Sequence, residues 1–251
     1  MRALIVIVVL NISLITAYNE YSNNVTTADL KELRKLLFVS RDYDRFARPI
    51  PKNDIFRVSI DYNLIHITNF DIRSQILTAE GWLFSSWHDG SLAWDTTALR
   101  HIPNIRIPST QLYLPDLMSY NSVDYGSPRI INTNAIVYRN GNVLWVPPMT
   151  LKAMCRVNLK RWPYDEHICF IKFGSWTHDG YIMDVFPMNR TNPGLLNDIW
   201  KNTEFDISYI NVTRDVKFYD CCKEPYPSIS FFFRVQRRPS LYHYIISMPA
   251  F

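Results

Sequence analysis

The dominant repeat along this chain is two residues. Phe56, Val58, Ile60, Tyr62 and Leu64 alternate with Arg57, Ser59, Asp61 and Asn63, which predicts a strand with one buried and one wet face. Ile229, Phe231, Phe233 and Val235 alternate likewise with Ser228, Ser230, Phe232 and Arg234. Further short strands are predicted around 75–87, 134–146, 152–159, 167–175 and 207–218, with Pro, Asn and Asp between them. Many short strands separated by turn signals predict a mainly β fold, an all-β sandwich. One helix precedes them. Leu30, Leu33 and Leu37 share a face between Thr27 and Phe38, while Glu32, Arg34 and Lys35 face away. Thr27 is the expected cap, and Asp29 suits the first turn. No internal repeat, low-complexity tract or linker divides the chain.

Two apolar runs stand apart from the sandwich. Arg2, the unbroken run 4–10 and the small Ala17 read as a secretory signal over residues 1–17. The alternative is a buried N-terminal strand, against which polar Tyr18-Asn19-Glu20 follows at once. Secretion makes disulfides available and makes Asn24, Asn189 and Asn211, each in an Asn-X-Thr triplet, candidate glycan acceptors. At the other end, basic Arg237-Arg238 precedes an apolar run, 241–251, that contains His243 and Pro249. It is too short for a membrane helix, which needs about 20 apolar residues. Basic residues are expected at a membrane edge, though they are also common on any surface.

Composition narrows the function. Lys and Arg number 27 and Asp and Glu 23, and no basic stripe with interleaved aromatics appears, which argues against nucleic acid as a partner. Aromatic residues make up 14% with 7 Trp, so core material is ample, and no Gly-rich phosphate loop is present. Trp82 and Trp87 lie five residues apart, so a regular strand points them to opposite faces. One enters the core and the other meets solvent or a partner. Asp165-Glu166-His167 and His178-Asp179 invite a metal or acid–base reading. Neighbours on a strand point apart, however, and no His-x-x-x-His pattern supports them, so both groups are expected to be solvated. No Ser/His/Asp or Cys/His arrangement is legible, and neither an enzyme nor a cofactor is expected.

The four cysteines allow three pairings. Spacing favours Cys155–Cys169, which enclose thirteen residues, and Cys221–Cys222, which enclose none. A bridge from Cys155 to one of the last two is the alternative. A bond between neighbours closes almost no loop, so it adds little stability by chain entropy. Its better use is to stiffen a hairpin tip and hold the flanking Tyr219 and Tyr226, whose rings suit a cation.

The segment Cys155–Cys169 resembles the signature loop of the Cys-loop ligand-gated ion channels, with Trp162-Pro163-Tyr164-Asp165 at its core. Phe on both sides of the proline is the commoner form. Gly174-Ser175-Trp176-Thr177 is similar to the nicotinic ligand-binding tryptophan segment. Pro115-Asp116 through Tyr120-Asn121 is similar to the family's Pro-Asp…Tyr-Asn stretch, with Tyr113 where Trp is usual. Trp82, Trp87 and Trp94 match its tryptophan-rich strand. With Tyr219, Cys221, Cys222 and Tyr226, the resemblance is to α-type nicotinic acetylcholine receptor subunits, collinear over nearly the whole mature chain.

That resemblance implies an N-terminal helix followed by a β-sandwich of about ten strands, assembled as a homo- or hetero-pentamer. It implies a ligand-binding domain over 18–238 and the start of a first transmembrane segment over 239–251, where Tyr242, Tyr244 and Met248-Pro249 carry the likeness. Tyr120, Trp176, Tyr219 and Tyr226 would box the ligand on a principal face, under a tip shaped by Cys221-Cys222. Trp82, Ile136, Leu144 and Val146 would line the complementary face of the neighbouring subunit. Trp162, Pro163, Tyr164, Asp165 and Arg237 would couple binding to a pore. The ligand would be a small cation, acetylcholine first and choline or betaine next. A quaternary ammonium donates no hydrogen bond, and ring faces hold it at ~0.5 to ~2 kcal/mol each. The expected place is the extracellular face of a postsynaptic plasma membrane. The alternative is a secreted, pore-less acetylcholine-binding protein or a truncated decoy or dominant-negative subunit, although a pore-less protein would not be expected to carry 241–251.

Overall fold

The structure is a computed structural model and describes residues 25–49, 54–95, 97–124, 129–188 and 200–239. The signal, Asn24, Asn189 and the C-terminal apolar run 241–251 lie outside the described residues.

Helix α1, Thr27–Arg34, continues into a π-helical turn, Lys35–Ser40. Its cap is Thr26, one residue before the expected Thr27. The Thr26 hydroxyl accepts from the Asp29 N–H at 3.2 Å, and the Asp29 carboxylate accepts from the Thr26 N–H at 2.8 Å. This reciprocal pair satisfies two N–H groups that the helix leaves open. Leu33 and Leu37 are fully buried, as their shared face requires.

Twelve strands follow among the described residues. They are β1 (Phe56–Asp71), β2 (Ile76–His88), β3 (Asn104–Pro108), β4 (Leu117–Ser119), β5 (Arg129–Ile130), β6 (Asn134–Tyr138), β7 (Asn142–Trp145), β8 (Pro148–Met154), β9 (Glu166–Ser175), β10 (Met183–Pro187), β11 (Phe205–Tyr219) and β12 (Cys222–Arg237). One sheet runs β10-β1-β2-β7-β6-β3, with β8 paired to β2 and β5; the other runs β11-β12-β9-β4. Their inner faces meet in one aromatic core. The Tyr62 ring lies 5.7 Å from Phe173, 6.2 Å from Phe231 and 6.3 Å from Phe233. The sandwich and its N-terminal helix agree with the sequence reading.

Four local expectations are corrected. The span 134–146 is a hairpin of β6 and β7, turned at Gly141, whose φ of 82° and lack of a Cβ fit it against the Asp89 carbonyl. The strand expected at 152–159 runs instead from Pro148 to Met154. A proline is tolerated at the first position of a strand, and the alternation continues through buried Met149, Leu151 and Ala153. Asn63, expected on the wet face, is buried where it pairs with Trp82 of β2, and the β1–β2 register shifts just beyond it, between Leu64 and His66. Ser228 and Ser230 are also buried, and the Ser228 hydroxyl donates to the Asp215 carbonyl at 3.3 Å. Among the described residues no helix is long and apolar enough to cross a membrane.

Candidate functional site

The outer face of the four-stranded sheet carries a cavity of about 390 Å³. Tyr120 follows β4, Trp176 follows β9, Tyr219 ends β11 and Tyr226 lies on β12, and all four line it. The Tyr120 and Trp176 rings meet edge-on at 6.4 Å, and Tyr219 and Tyr226 at 5.4 Å. Trp176 is 58% and Tyr219 49% exposed, so these rings are not core packing. The strand β9 supplies the floor. Ile171 and Phe173 point into the core, which turns Phe170 and Lys172 outward into the cavity wall.

Tyr120 is held from both sides. Its hydroxyl donates to the Ser175 carbonyl, and its N–H donates to the Lys172 carbonyl at 2.8 Å. Its ring lies across Gly174, where a Cβ would stand 2.5 Å from the Tyr120 hydroxyl oxygen. Burial, with smaller effects of Tyr219 and Asp116, pushes the Tyr120 phenol up to about 12. Asn121 braces the same strand, donating to the Phe170 carbonyl at 2.7 Å and accepting from the Lys172 N–H at 3.0 Å. Asp116 fixes the Trp176 turn. It accepts from the Ser175 hydroxyl at 2.7 Å and the Thr177 N–H at 2.7 Å, and lies 3.3 Å from His178 Nδ1. Burial alone would raise its pKa, but hydrogen bonds led by Thr177 and Ser175 outweigh it and lower it.

Cys221 and Cys222 are bonded to each other at the tip where Tyr219 pairs with Cys222. Cys155 and Cys169 are bonded with Cα atoms 4.8 Å apart, which closes the loop between β8 and β9. Trp162 and Tyr164 project from that loop, 45% and 57% exposed, with Pro163 between them partly buried.

Asp165 and His167, expected to be solvated, are buried at 1% exposure each, while Glu166 between them is exposed and pairs with Arg234 at 3.0 Å. The reason is a partner at the far end of β12. Arg237 Nε donates to Asp165 at 2.8 Å and Nη2 at 3.2 Å, and Nη1 reaches Glu204. His167 Nε2 lies 2.6 Å from Asp165, and its Nδ1 accepts from the Asn158 N–H at 3.2 Å. Burial raises the Asp165 pKa, and the hydrogen bonds from Arg237 and His167 more than reverse that. His178 is likewise half-buried on Asp116 rather than free in solvent. Among the described residues no group of three or more His, Cys, Asp or Glu is placed to hold a metal.

Trp87 is buried at 3% and Trp82 is 39% exposed, the opposite-face arrangement that their spacing predicts. Ile136, Leu144 and Val146 are partly buried and alternate with buried Ala135, Val137, Val143 and Trp145. They lie on the outer face of the eight-stranded sheet or its edge, and none of them, nor Trp82, lines the cavity. Asn211 is exposed on β11. Phe170, Lys172 and Glu204 escaped the sequence reading, although alternation along β9 was the signal for the first two.

Residues 31–239 match the family described as neurotransmitter-gated ion-channel ligand binding domain. The chain is 36% identical over 225 residues to the acetylcholine receptor subunit alpha-type acr-16 of Caenorhabditis elegans, covering 89% of this chain and 45% of that one. It is 35% identical over 220 residues to the neuronal acetylcholine receptor subunit alpha-9 of Rattus norvegicus, 87% of this chain and 46% of that one. It is 34% identical over 208 residues to the neuronal acetylcholine receptor subunit alpha-2 of Mus musculus, 82% and 40% respectively. The chain thus spans under half the length of these curated relatives.

Proposed function

Because this chain belongs to the neurotransmitter-gated ion-channel ligand-binding domain family, we propose that it binds acetylcholine or a related quaternary amine as the extracellular part of a nicotinic-type cation-channel subunit. Domains of this family are binding modules and not enzymes. The observation that carries the ligand class is the convergence of Tyr120, Trp176, Tyr219 and Tyr226 from separate segments on one cavity. Such a box supplies affinity for an ammonium without a carboxylate. The names of the acetylcholine receptor relatives support the same class.

In this proposal the Cys221-Cys222 tip closes over the ligand. A neighbouring subunit supplies Trp82, Ile136, Leu144 and Val146, which are turned outward on the other sheet. The exposed Trp82 supports an interface at that face. The assembly is a homo- or hetero-pentamer at the postsynaptic plasma membrane, anchored by segments after 239. The loop that carries Trp162, Pro163 and Tyr164 passes the motion on, and the buried Asp165–Arg237 pair ties it to β12. Asn211, exposed on β11, accepts a glycan.

Titration of the chain with acetylcholine, followed by tryptophan fluorescence, tests the ligand class. Saturable quenching that Trp176→Ala abolishes is expected. An unchanged titration in Trp176→Ala rejects the proposal.

A further inference from the structure

One row of the four-stranded sheet joins the cavity to the glycan-acceptor triplet of β11. Asn211 pairs with Phe232 of β12, and Phe232 pairs with Phe170 of β9. Val212 packs on the core, which turns its neighbours Asn211 and Thr213 to the outer face. Directly opposed residues hold their Cβ atoms about 4.5–5.5 Å apart, so the Asn211 amide rises beside the Phe232 ring. The Phe232 and Phe170 rings lie 5.5 Å apart with their planes 33° from parallel. Both are only partly buried, and Ile168, in the next row of β9, is exposed. This apolar strip interrupts a face that otherwise carries Glu166, Lys172, Arg234 and Gln236. Paired rings left at the surface of a polar face mark a seat for a partner.

The register also gives the occupant. Strand β11 is the outermost of its sheet and pairs with β12 alone among the described strands, and Asn211 is exposed on it. A glycan on Asn211 is bulky and begins with an N-acetylated pyranose. One face of such a sugar is lined by C–H groups, which pack on the electron-rich face of an aromatic ring. Phe232 is the ring it meets first. Phe170, next along the row, is itself a wall of the cavity. We propose that a glycan on Asn211 lies across Phe232 and closes the Phe170 end of the cavity, so that this modification limits the length of amine the site admits. The inference rests on the glycan and aromatic-box readings above and adds the sugar to that box as a wall.

Glycopeptide mass spectrometry of the full chain from a glycosylating host is expected to find Asn211 occupied. Native digestion with a peptide-N-glycosidase, followed at Asn211, is expected to release the glycan about threefold to tenfold faster from Phe232→Ser, the range that one aromatic contact covers. Phe232→Tyr, which keeps the ring, is expected to release it at the unmodified rate. Thr213→Ala removes the glycan and leaves Asn211 and the rings in place. It is expected to bind a long polymethylene bis-quaternary amine about tenfold more tightly and tetramethylammonium as before. An unoccupied Asn211, equal release from Phe232→Ser, or an unchanged bis-quaternary affinity in Thr213→Ala overturns the inference and leaves the box intact. Failure of tetramethylammonium to bind the unmodified chain overturns the box and the sugar's part in it, while the release rates still decide whether the glycan lies on Phe232.

Discussion

At the scale of residues, the cavity depends on an absence as much as on its rings. Gly174 leaves the space in which the Tyr120 ring lies, and a Cβ there would stand 2.5 Å from the Tyr120 hydroxyl oxygen. Gly174→Ala is therefore expected to displace Tyr120 at a cost of about 1–3 kcal/mol. A roughly tenfold loss in amine affinity with the fold retained is the expected reading. Tyr219 and Tyr226 were legible in the sequence because they flank an unusual cysteine pair, and Tyr120 and Trp176 through the family resemblance of the segments that carry them. Asp165 was not. Its neighbours look polar and solvated, and the arginine that buries it lies 72 positions away. Arg237→Ala would take the guanidinium partner from the buried Asp165 carboxylate and leave it with His167, and urea unfolding is expected to show a loss of about 3–5 kcal/mol. The pH dependence has a definite sign. The Asp165 pKa is depressed in the folded state, so its contribution is complete above the unfolded carboxylate value of about 4. It is lost as pH falls through the lower folded value. Acid unfolding of the Arg237→Ala variant is expected to show less of this acid-side decline.

At the scale of elements, the two disulfides do different work. The Cys155–Cys169 bridge closes a loop with a sequence separation of 14, worth about 3 kcal/mol by chain entropy. The Cys221–Cys222 bond has a separation of 1 and closes no loop to speak of. Thermal unfolding should show a clear loss of stability for Cys155→Ser/Cys169→Ser. Cys221→Ser/Cys222→Ser should change the melting temperature little and weaken ligand binding. Equal destabilisation of both would contradict this division. Strand β9 was readable within a residue because His167, Cys169, Ile171 and Phe173 alternate into the core along most of its length. Strand β8 was not, because Pro147-Pro148 reads as a break and Pro148 in fact begins the strand. The helix cap moved from Thr27 to Thr26 because two threonines are adjacent and only Thr26 completes the exchange with Asp29.

At the scale of the whole molecule, the two sheets carry different halves of one proposed site. The four-stranded sheet holds the cavity, and the eight-stranded sheet presents Trp82 outward. No signal in a single chain's periodicity joins them, since Trp82 lines no part of this chain's cavity. The spacing of Trp82 and Trp87 announced only that one of them had to face outward. In the proposed site the aromatic cavity of one chain binds a quaternary amine against Trp82 of its neighbour. Co-expression of two variants, Trp176→Ala and Trp82→Ala, tests it most directly through binding of a radiolabelled amine. Each variant alone is expected to bind nothing, and the mixture is expected to regain binding wherever an intact Trp176 meets an intact Trp82. A mixture that stays silent, or a Trp82→Ala chain that binds alone as well as the unmodified protein, would contradict the account.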